Sequence, residues 1–334
     1  MRIFWDDRQR RHAPERELHN GGFVPFAETP ARADAILAAL GPAEAPRDFG
    51  EAPLLRVHPP DYLDFLESAW SDWRAAGREG DAAGYVWPVV GRRPLRLDRI
   101  DARLGRYSFD ASTPIAEGTW DGAYWSVQSA LAGLEAVLGG APAAFALCRP
   151  PGHHCGADYM GGYCYLNAAA VAAEAARAAG RRRVAILDVD YHHGNGTQDI
   201  FLARGDVLFV SIHADPATDY PFYWGHADET GEGAGEGATL NLPLPRGTGM
   251  HAYLPALEAA LGRIAGFAPD VLLVSYGADT FEADPISFFK LKTPDYADMG
   301  RRIASLGLPT LVLMEGGYAV GALGANVAAF LSGF

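Results

Sequence analysis

Short apolar segments alternate with longer segments rich in Ala and Leu along the chain, and this alternation restricts the fold more than any other feature. Six strand candidates are apolar on both faces, as central strands of a parallel sheet are; they span 2–5, 144–148, 184–188, 207–212, 271–275 and 310–314. The helix candidates between them span 30–40, 60–76, 120–138, 167–180, 250–266 and 294–306. The order predicts one α/β domain over residues 1–334 with three layers, in which helices cover both faces of a mostly parallel central sheet.

The composition narrows the classes of protein. Hydrophobic residues make up 49% and charged residues 21% of the 334 residues, which is typical of a folded globular domain. No apolar run reaches the roughly 18 residues that a membrane span needs, and charged residues come too early for a signal peptide. Three cysteines do not suggest a disulfide framework. We therefore expect a soluble, cytoplasmic protein that does not bind membranes.

The net charge of −13 bears on the partners of the chain. Such a charge repels nucleic acid and favours cationic partners, although a generally acidic surface explains it equally well. One segment, at about 84–118, is long, weakly periodic and basic. Its arginines are Arg92, Arg93, Arg96, Arg99, Arg103 and Arg106. Because the rest of the chain is acidic, we expect this insertion to pack on a second subunit in a homodimer rather than to bind nucleic acid.

A metal site is predicted at the carboxyl ends of two strands, where ligands bind in such sheets. Asp188, Asp190 and His192 alternate after the strand 184–188, so they share one side of the extended chain. Asp279 follows the strand 271–275 and is the best third ligand beside Asp190 and His192. Two carboxylates and one imidazole leave an open position, which is typical of a catalytic Zn²⁺ site; Fe²⁺ or Co²⁺ would fit the same ligands. The alternative is a loop of ordinary hydrogen-bonded polar groups.

Two further strand ends supply candidates for acid–base chemistry. The strand 144–148 leads into RPPGHH at 149–154, in which His153 and His154 are adjacent imidazoles suited to proton transfer near pH 7. The last strand leads into EGGY at 315–318, where Tyr318 could donate a hydrogen bond to an oxyanion. A surface His pair and a simple turn are the alternatives.

Together these segments resemble the arginase/deacetylase superfamily, specifically its histone deacetylase branch. The motifs that carry the resemblance are RPPGHH at 149–154, GYCYLN at 162–167, DVDYHHGNG at 188–196, GADTFEAD at 277–284 and EGGY at 315–318, with weaker matches in ETPAR at 28–32 and HPPDY at 58–62. Asn195 stands where class I enzymes carry Asp, which places the chain nearer class II. Within the branch it is most similar to bacterial acetylpolyamine amidohydrolases, through ADETGEGAG at 227–235, PISFFK at 285–290 and the long loop before GTW at 118–120.

The resemblance implies catalytic roles. His154 would be the general base that activates the attacking water, then the acid that protonates the leaving amine. His153 would be its electrostatic partner, oriented by Asp188, and Asn195 would hydrogen-bond to His154. Tyr318 would bind the oxyanion.

The resemblance also implies binding sites. A structural K⁺ would be held by Asp188, Asp190, His192, Ser211 and Ile212. The tunnel for the acylated amine would be formed by Tyr163, with its neighbour Gly162, and by Tyr220. In the resembled family the loop insertion builds a dimer that narrows the active-site entrance.

The substrate that the resemblance implies is a small cationic acetylated amine, most of all an acetylpolyamine. Ser112 stands near the place where that family carries an acidic residue facing the distal ammonium, so Glu17 or Glu117 would have to replace it. The alternatives are an acetyl-lysine protein deacetylase, which shares the chemistry, and a non-catalytic small-cation-binding protein. A binuclear arginase-like hydrolase would need carboxylates where this chain has Gly194 and Phe281.

Overall fold

The computed structural model describes residues 1–89 and 97–334. Nine strands are present in these residues: β1 (Arg2–Phe4), β2 (Arg16–His19), β3 (Gly22–Pro25), β4 (Ala143–Ala146), β5 (Val184–Asp188), β6 (Val207–Ala214), β7 (Thr239–Leu244), β8 (Val271–Tyr276) and β9 (Thr310–Met314). Seven of them form one sheet in the order β1-β4-β9-β8-β5-β6-β7, and β2 and β3 form a separate hairpin. The strand pairings of the large sheet are parallel.

The central strands are buried because their side chains enter a core on each face of the sheet. In β5, Val184 and Ile186 pack into one hydrophobic cluster, whereas Ala185 and Leu187 pack into the other. Strand β5 lies between β8 and β6, and its last residue, Asp188, is in register with Ser275 on β8 and Ser211 on β6. The carboxyl ends of these strands therefore meet at one edge.

Two layers of helices cover the sheet. The helices are α1 (Ala31–Leu40), α2 (Pro60–Ala75), α3 (Ile100–Arg106), α4 (Thr119–Leu138), α5 (Ala168–Ala178), α6 (Asn195–Phe201), α7 (Met250–Phe267), α8 (Thr293–Ala304) and α9 (Val320–Leu331). Helices α2 to α6 contribute to the first cluster, and α1, α7, α8 and α9 contribute to the second. Among the described residues, none of the helices combines the length and apolarity needed to cross a membrane.

The predicted fold is confirmed: the chain forms a three-layer α/β domain with a parallel central sheet. Each of the six predicted strands and six predicted helices is present within two residues of its expected bounds. The prediction missed β7, the β2–β3 hairpin and three helices, α3, α6 and α9. Helix α3 shows that the basic insertion is not irregular throughout.

The arginines of the insertion are partly accounted for within the chain. Arg99 pairs with Asp101 at 2.8 Å and Arg103 with Asp72 at 2.6 Å. Arg106 lies 3.6 Å from Asp158. The three remaining arginines of the insertion, Arg92, Arg93 and Arg96, lie outside the described residues. The expected role of the insertion at 84–118 in a homodimer stays a prediction.

Candidate active site

Asp190, His192 and Asp279 converge where β5 and β8 end. Their ligand atoms all lie within 4.8 Å of one another. The Nδ1 atom of His192 is 3.1 Å from Asp279 Oδ2 and 3.3 Å from Asp190 Oδ1. The alternation of Asp190 and His192 after β5, and the neighbouring position of β8, bring the three predicted ligands together.

Backbone donors and glycines shape the space around these carboxylates. Gly316 N–H donates to Asp190 Oδ2 at 2.8 Å, and Tyr191 N–H donates to Asp279 Oδ1 at 2.9 Å. A Cβ on Gly316 would lie 2.6 Å from Asp279 Oδ2 and 2.7 Å from Asp190 Oδ2. Only a residue without a side chain therefore leaves these oxygens accessible.

The charges at this position fit a bound cation. Both carboxylates are buried, and the His192 imidazole lies within 4.8 Å of each. Burial, followed by the charge of Asp190, raises the pKa of Asp279 above its usual range. Two buried carboxylates so close together are stabilised by a positive ion. With one nitrogen and two oxygen donors, the set suits a divalent metal ion such as Zn²⁺, Fe²⁺ or Co²⁺.

The residues expected to hold a monovalent cation lie beside the same strands. Asp188 and Ser211 are directly paired in the register of β5 and β6, and both are buried. The Ser211 hydroxyl hydrogen-bonds to His213 Nδ1 at 2.8 Å. Ile212 is the next residue of β6. The structure thus places Asp188 beside Ser211, with Ile212 next on β6 and Asp190 two residues after Asp188, while K⁺ binding itself stays a prediction.

The adjacent histidines are each held by a different partner. His153 Nδ1 is 2.9 Å from Asp188 Oδ2, and His154 Nδ1 is 2.7 Å from Asn195 Oδ1. The carboxylate of Glu315 accepts hydrogen bonds from Gly152 N–H at 2.7 Å and from His153 N–H at 3.2 Å. Glu315 therefore anchors the loop that carries both imidazoles.

The two imidazoles differ in charge. Burial alone would lower the pKa of His153, but the carboxylates of Asp188 and Asp190 outweigh it and raise the pKa to about 10. Burial, then the charge of His153, holds the pKa of His154 well below its usual value. At neutral pH His153 is therefore a cation and His154 a neutral base.

Tyr318 is positioned by contacts on both of its sides. Its backbone N–H donates to Asp284 Oδ2 at 2.7 Å. The guanidinium of Arg32 lies 5.0 Å from the centre of the phenol ring and donates to the carbonyl oxygens of Gly317 at 2.7 Å and Glu315 at 2.5 Å. Burial raises the pKa of Tyr318 well above its usual value. The phenol therefore stays protonated and can donate a hydrogen bond.

A cavity of about 490 Å³ leads to these groups. It is lined by His19, Asn20, Ser112, His154, Gly162, Tyr163, His192, Thr218, Asp219, Tyr220, Phe222, Arg246, Pro285, Ile286, Phe288 and Tyr318. One metal ligand candidate, the candidate base and the candidate oxyanion donor thus face the same space.

Aromatic rings form the walls near the bottom of the cavity. The ring of Tyr163 lies 5.6 Å from that of Tyr318, and the ring of Tyr220 lies 5.1 Å from that of His154, both edge to face. Gly162 passes so close to the His154 ring that a Cβ there would collide with it. The predicted tunnel residues are therefore placed together.

Glu17 and Glu117, the acids predicted to recognise a distal ammonium, lie in different surroundings. The Tyr163 hydroxyl donates to Glu17 Oε1 at 2.9 Å, and burial raises the pKa of Glu17 to about 7. Glu117 is exposed and does not line the described cavity, because it lies in the turn that precedes α4. The structure therefore does not bring Glu117 to the site. Ser112 lines the cavity and donates its hydroxyl hydrogen to Asp110 Oδ2 at 3.0 Å.

Asp110 supports the tunnel wall and was missed in the sequence. Its Oδ2 accepts hydrogen bonds from Gly162 N–H at 2.8 Å and from the Tyr220 hydroxyl at 2.9 Å. It lies only two residues before Ser112, so an acidic residue near that position could have been found from the sequence. An acid is thus retained next to Ser112, although its oxygens are occupied by these donors.

Comparisons with known proteins agree on one group of relatives. The family described as "Histone deacetylase domain" matches residues 26–334. The chain is 54% identical to acetylpolyamine amidohydrolase 1 of Pseudomonas aeruginosa, over 100% of this chain and 99% of that protein. It is 50% identical to acetylpolyamine amidohydrolase of Mycoplana ramosa, over 99% and 98%. A crystal structure of acetylpolyamine aminohydrolase from Burkholderia pseudomallei superimposes with a TM-score of 0.96 at 43% identity, covering 100% and 98% of the two chains.

Proposed function

Because the chain belongs to the histone deacetylase family, we propose that it is a metal-dependent amidohydrolase that removes acetyl groups from small acetylated amines, above all acetylpolyamines. The observation that carries the proposal is that His154, His192 and Tyr318 line one cavity. The names of the relatives at 50% and 54% identity support the substrate class.

Asp190, His192 and Asp279 would hold one divalent ion, for which Zn²⁺ is the first choice because hydrolysis needs no redox change. Such an ion would act as a Lewis acid that polarises the acetyl carbonyl and makes a water more acidic. We propose a single ion, because Gly194 and Phe281 stand where a second ion would need carboxylates.

The proton transfers are assigned to His154. Because its Nδ1 faces the Asn195 oxygen, the hydrogen of the neutral ring lies on Nδ1 and Nε2 is free to accept a proton. His154 takes the proton of the attacking water, and it returns that proton to the leaving amine when the C–N bond breaks. The products are acetate and the free amine.

The developing negative charge on the acetyl oxygen is stabilised by two neighbours. Tyr318 donates its phenolic hydrogen to this oxygen, as a preorganised oxyanion donor does. The cation of His153, whose ring lies 4.1 Å from that of His154, makes negative charge at the reacting centre more favourable.

Substrate recognition follows from the walls of the cavity. The apolar part of an acetylated amine would lie between Tyr163 and Tyr220, and its distal ammonium would be attracted by Glu17 behind Tyr163. We also propose that K⁺ binds at Asp188, Asp190, His192, Ser211 and Ile212, and that the insertion at 84–118 forms a homodimer contact.

The experiment that tests the function compares turnover of N-acetylputrescine and N-acetylspermidine with that of an acetyl-lysine peptide. Zn²⁺-loaded enzyme and chelator-treated enzyme are assayed side by side. Metal-dependent activity that is highest on the acetylpolyamines supports the proposal. A preference for the peptide would keep the chemistry but change the substrate to acetyl-lysine proteins. Binding of the amines without turnover of any substrate would indicate a non-catalytic small-cation-binding protein.

A further inference from the structure

His213, on β6, connects a hydroxyl of the predicted cation site with the loop between β6 and β7. Its Nδ1 is 2.8 Å from the Ser211 hydroxyl oxygen, and its Nε2 is 2.9 Å from the carbonyl oxygen of Gly225. Ser211 and His213 lie two residues apart on the strand, so their side chains point to the same face of the sheet. Both residues are buried. The two contacts fix the hydrogens of the ring and of the hydroxyl.

The carbonyl of Gly225 sets the tautomer of His213. A carbonyl oxygen can only accept, so Nε2, the ring nitrogen that faces it, carries a hydrogen. The ring is neutral at neutral pH, because it is buried and its nitrogens face a hydroxyl and a carbonyl rather than a carboxylate. Nδ1 therefore has no hydrogen of its own and accepts that of the Ser211 hydroxyl.

This arrangement leaves the Ser211 oxygen as an acceptor only. A hydroxyl has one hydrogen and two lone pairs, and the hydrogen of Ser211 is donated to His213. Ser211 is in register with Asp188 on β5, and both side chains are buried. A hydroxyl oxygen whose only hydrogen is donated elsewhere, next to a buried carboxylate, suits a hard cation that takes oxygen ligands. These two predicted K⁺ ligands therefore fit such an ion.

Gly225 is held against the His213 ring. Its N–H donates to Glu229 Oε2 at 2.9 Å. A Cβ at Gly225 would lie 2.7 Å from His193 Cγ and 2.8 Å from His213 Nε2, so only glycine lets the backbone pass here. Tyr220, which lines the cavity, lies in the same loop. The loop that borders the cavity is thus joined through His213 to Ser211.

We propose that His213 is a positioning residue for the monovalent cation. With its Nε2–H held by the Gly225 carbonyl, it takes the hydroxyl hydrogen of Ser211 and leaves the lone pairs of that oxygen to the ion. The inference rests on the K⁺ site of the proposed function and not on deacetylation. By linkage, an ion bound at Ser211 favours the same tautomer and so strengthens the contact between His213 and Gly225.

The first test measures ion binding by ²⁰⁵Tl NMR of Zn²⁺-loaded protein, with Tl⁺ as the probe for K⁺. The signal of this site is the one that K⁺ displaces and that Ser211→Ala abolishes. His213→Phe keeps a buried ring but removes both hydrogen bonds, and we expect the affinity for Tl⁺ to fall roughly fivefold or more. Gly225→Ala should weaken Tl⁺ binding too, although Gly225 is outside the proposed ligand set.

His226→Phe is the matched control. It removes another histidine–carbonyl hydrogen bond of the same loop, between His226 Nε2 and the Phe222 oxygen at 3.1 Å, which involves neither Ser211 nor His213. We expect its Tl⁺ affinity to stay within about twofold of the wild type, because the two sites share no partner. Equal losses in His213→Phe and His226→Phe would assign the effect to general loss of loop stability and overturn the proposal. Full affinity in His213→Phe, or no saturable Tl⁺ signal in the wild type, would also overturn it.

The tautomer is measured separately, by ¹⁵N NMR of histidine-labelled protein with the His213 signals identified from His213→Phe. We expect the Nε2–H form in the wild type and a shift toward the Nδ1–H form in Gly225→Ala, in which the carbonyl is displaced. The Nδ1–H form in the wild type would contradict the proposal. Neither measurement depends on turnover, so a protein that deacetylates nothing would refute the proposed enzymatic function while ion binding and tautomer still decide the role of His213.

Discussion

The rings of His153 and His154 lie 4.1 Å apart, yet they hydrogen-bond through Nδ1 to groups of different charge. His153 faces the carboxylate of Asp188 at 2.9 Å, and His154 faces the amide of Asn195 at 2.7 Å. The first partner favours an imidazolium and the second a neutral imidazole. Two adjacent residues of the same type thus have different electrostatic roles.

Replacing His154 tests the assignment of the base. In His154→Gln we expect kcat to fall roughly 10²–10⁴-fold, the usual contribution of a general base. Bound metal should stay at the wild-type level, because His154 is not among the three proposed metal ligands. Turnover measured together with metal content checks this, and a near-normal kcat at full metal content would exclude His154 as the base.

Replacing Tyr318 tests the oxyanion donor. Tyr318→Phe keeps the ring that packs at 5.6 Å from Tyr163 but removes the hydrogen-bond donor. We expect kcat to fall roughly 10²–10³-fold, as for the loss of one oxyanion donor elsewhere, with little change in KM. Steady-state kinetics on N-acetylputrescine are sufficient, and an unchanged kcat would remove Tyr318 from the mechanism.

Replacing Gly316 tests whether the proposed metal ligands need the free space beside their oxygens. In Gly316→Ala the new methyl group would press on Asp190 and Asp279, at 2.7 Å and 2.6 Å from their Oδ2 atoms. We expect substoichiometric metal and a parallel loss of activity. Gly321→Ala is the control, because a Cβ there meets nothing within 4 Å. Full metal occupancy in Gly316→Ala would show that these oxygens do not hold the ion.

Replacing Glu17 tests whether its carboxylate recognises the substrate ammonium, and the effect on KM should depend on pH. Burial raises the pKa of Glu17 to about 7, so the carboxylate is charged above that pH and neutral below it. In Glu17→Gln we expect KM for N-acetylputrescine to rise a few-fold at pH 8, in line with about 1 kcal/mol for a water-screened charge pair. The ratio of the KM values of variant and wild type should approach 1 at pH 6. A ratio that does not depend on pH would refute the role of this charge.

The buried side chain of His58 should make the stability of the fold depend on pH. Its Nδ1 donates to the Ala157 carbonyl at 2.9 Å, and its Nε2 accepts the Asn167 N–H at 3.1 Å, before α5 begins. Burial lowers the pKa of His58 to about 4. Between pH 6.5 and 4 the unfolded chain therefore binds more protons than the folded one, and stability present above pH 6.5 is lost as the pH falls.

The matching variant is His58→Gln, which cannot titrate. Relative to this variant, the wild type should lose about 2 kcal/mol of unfolding free energy between pH 7 and pH 5. Urea unfolding at the two pH values measures the difference. Parallel loss in both proteins would show that His58 does not contribute to the pH dependence.

The sheet was predictable where a strand is buried on both faces, and less so elsewhere. β7 (Thr239–Leu244) was missed because it is an edge strand, carries Pro243 and is only partly buried. The β2–β3 hairpin is short and polar, but Asn20-Gly21, with φ values of 50° and 79°, is a turn signal that could have revealed it. Burial in a common core made β4, β5, β6, β8 and β9 predictable. Strand β1 was predicted although it is also an edge strand and only Phe4 in it is buried.

The site was predictable to the extent that its residues are close in sequence. Asp190 and His192 follow from the alternation after one strand, and Asp279 follows from the end of a neighbouring one. The supporting groups could not be found this way, because their contacts join distant parts of the chain. Glu315, for example, accepts from Gly152 across 163 positions. Asp110 is an exception, because it lies only two residues before Ser112, near which the resemblance implies an acidic residue.

The position of Arg32 has a consequence for how the chain reaches its active form during synthesis. This buried guanidinium donates to the carbonyl oxygens of Glu315 and Gly317, which are synthesised more than 280 residues later. Strands β8 and β9, which separate β4 from β5 in the sheet, are also made late. A ribosome-bound nascent chain can therefore pair β5 with β6 and β1 with β4, but it cannot join the two halves of the sheet or seat Tyr318. We therefore expect the candidate site to be complete only after β9 and the residues that follow it have left the ribosome.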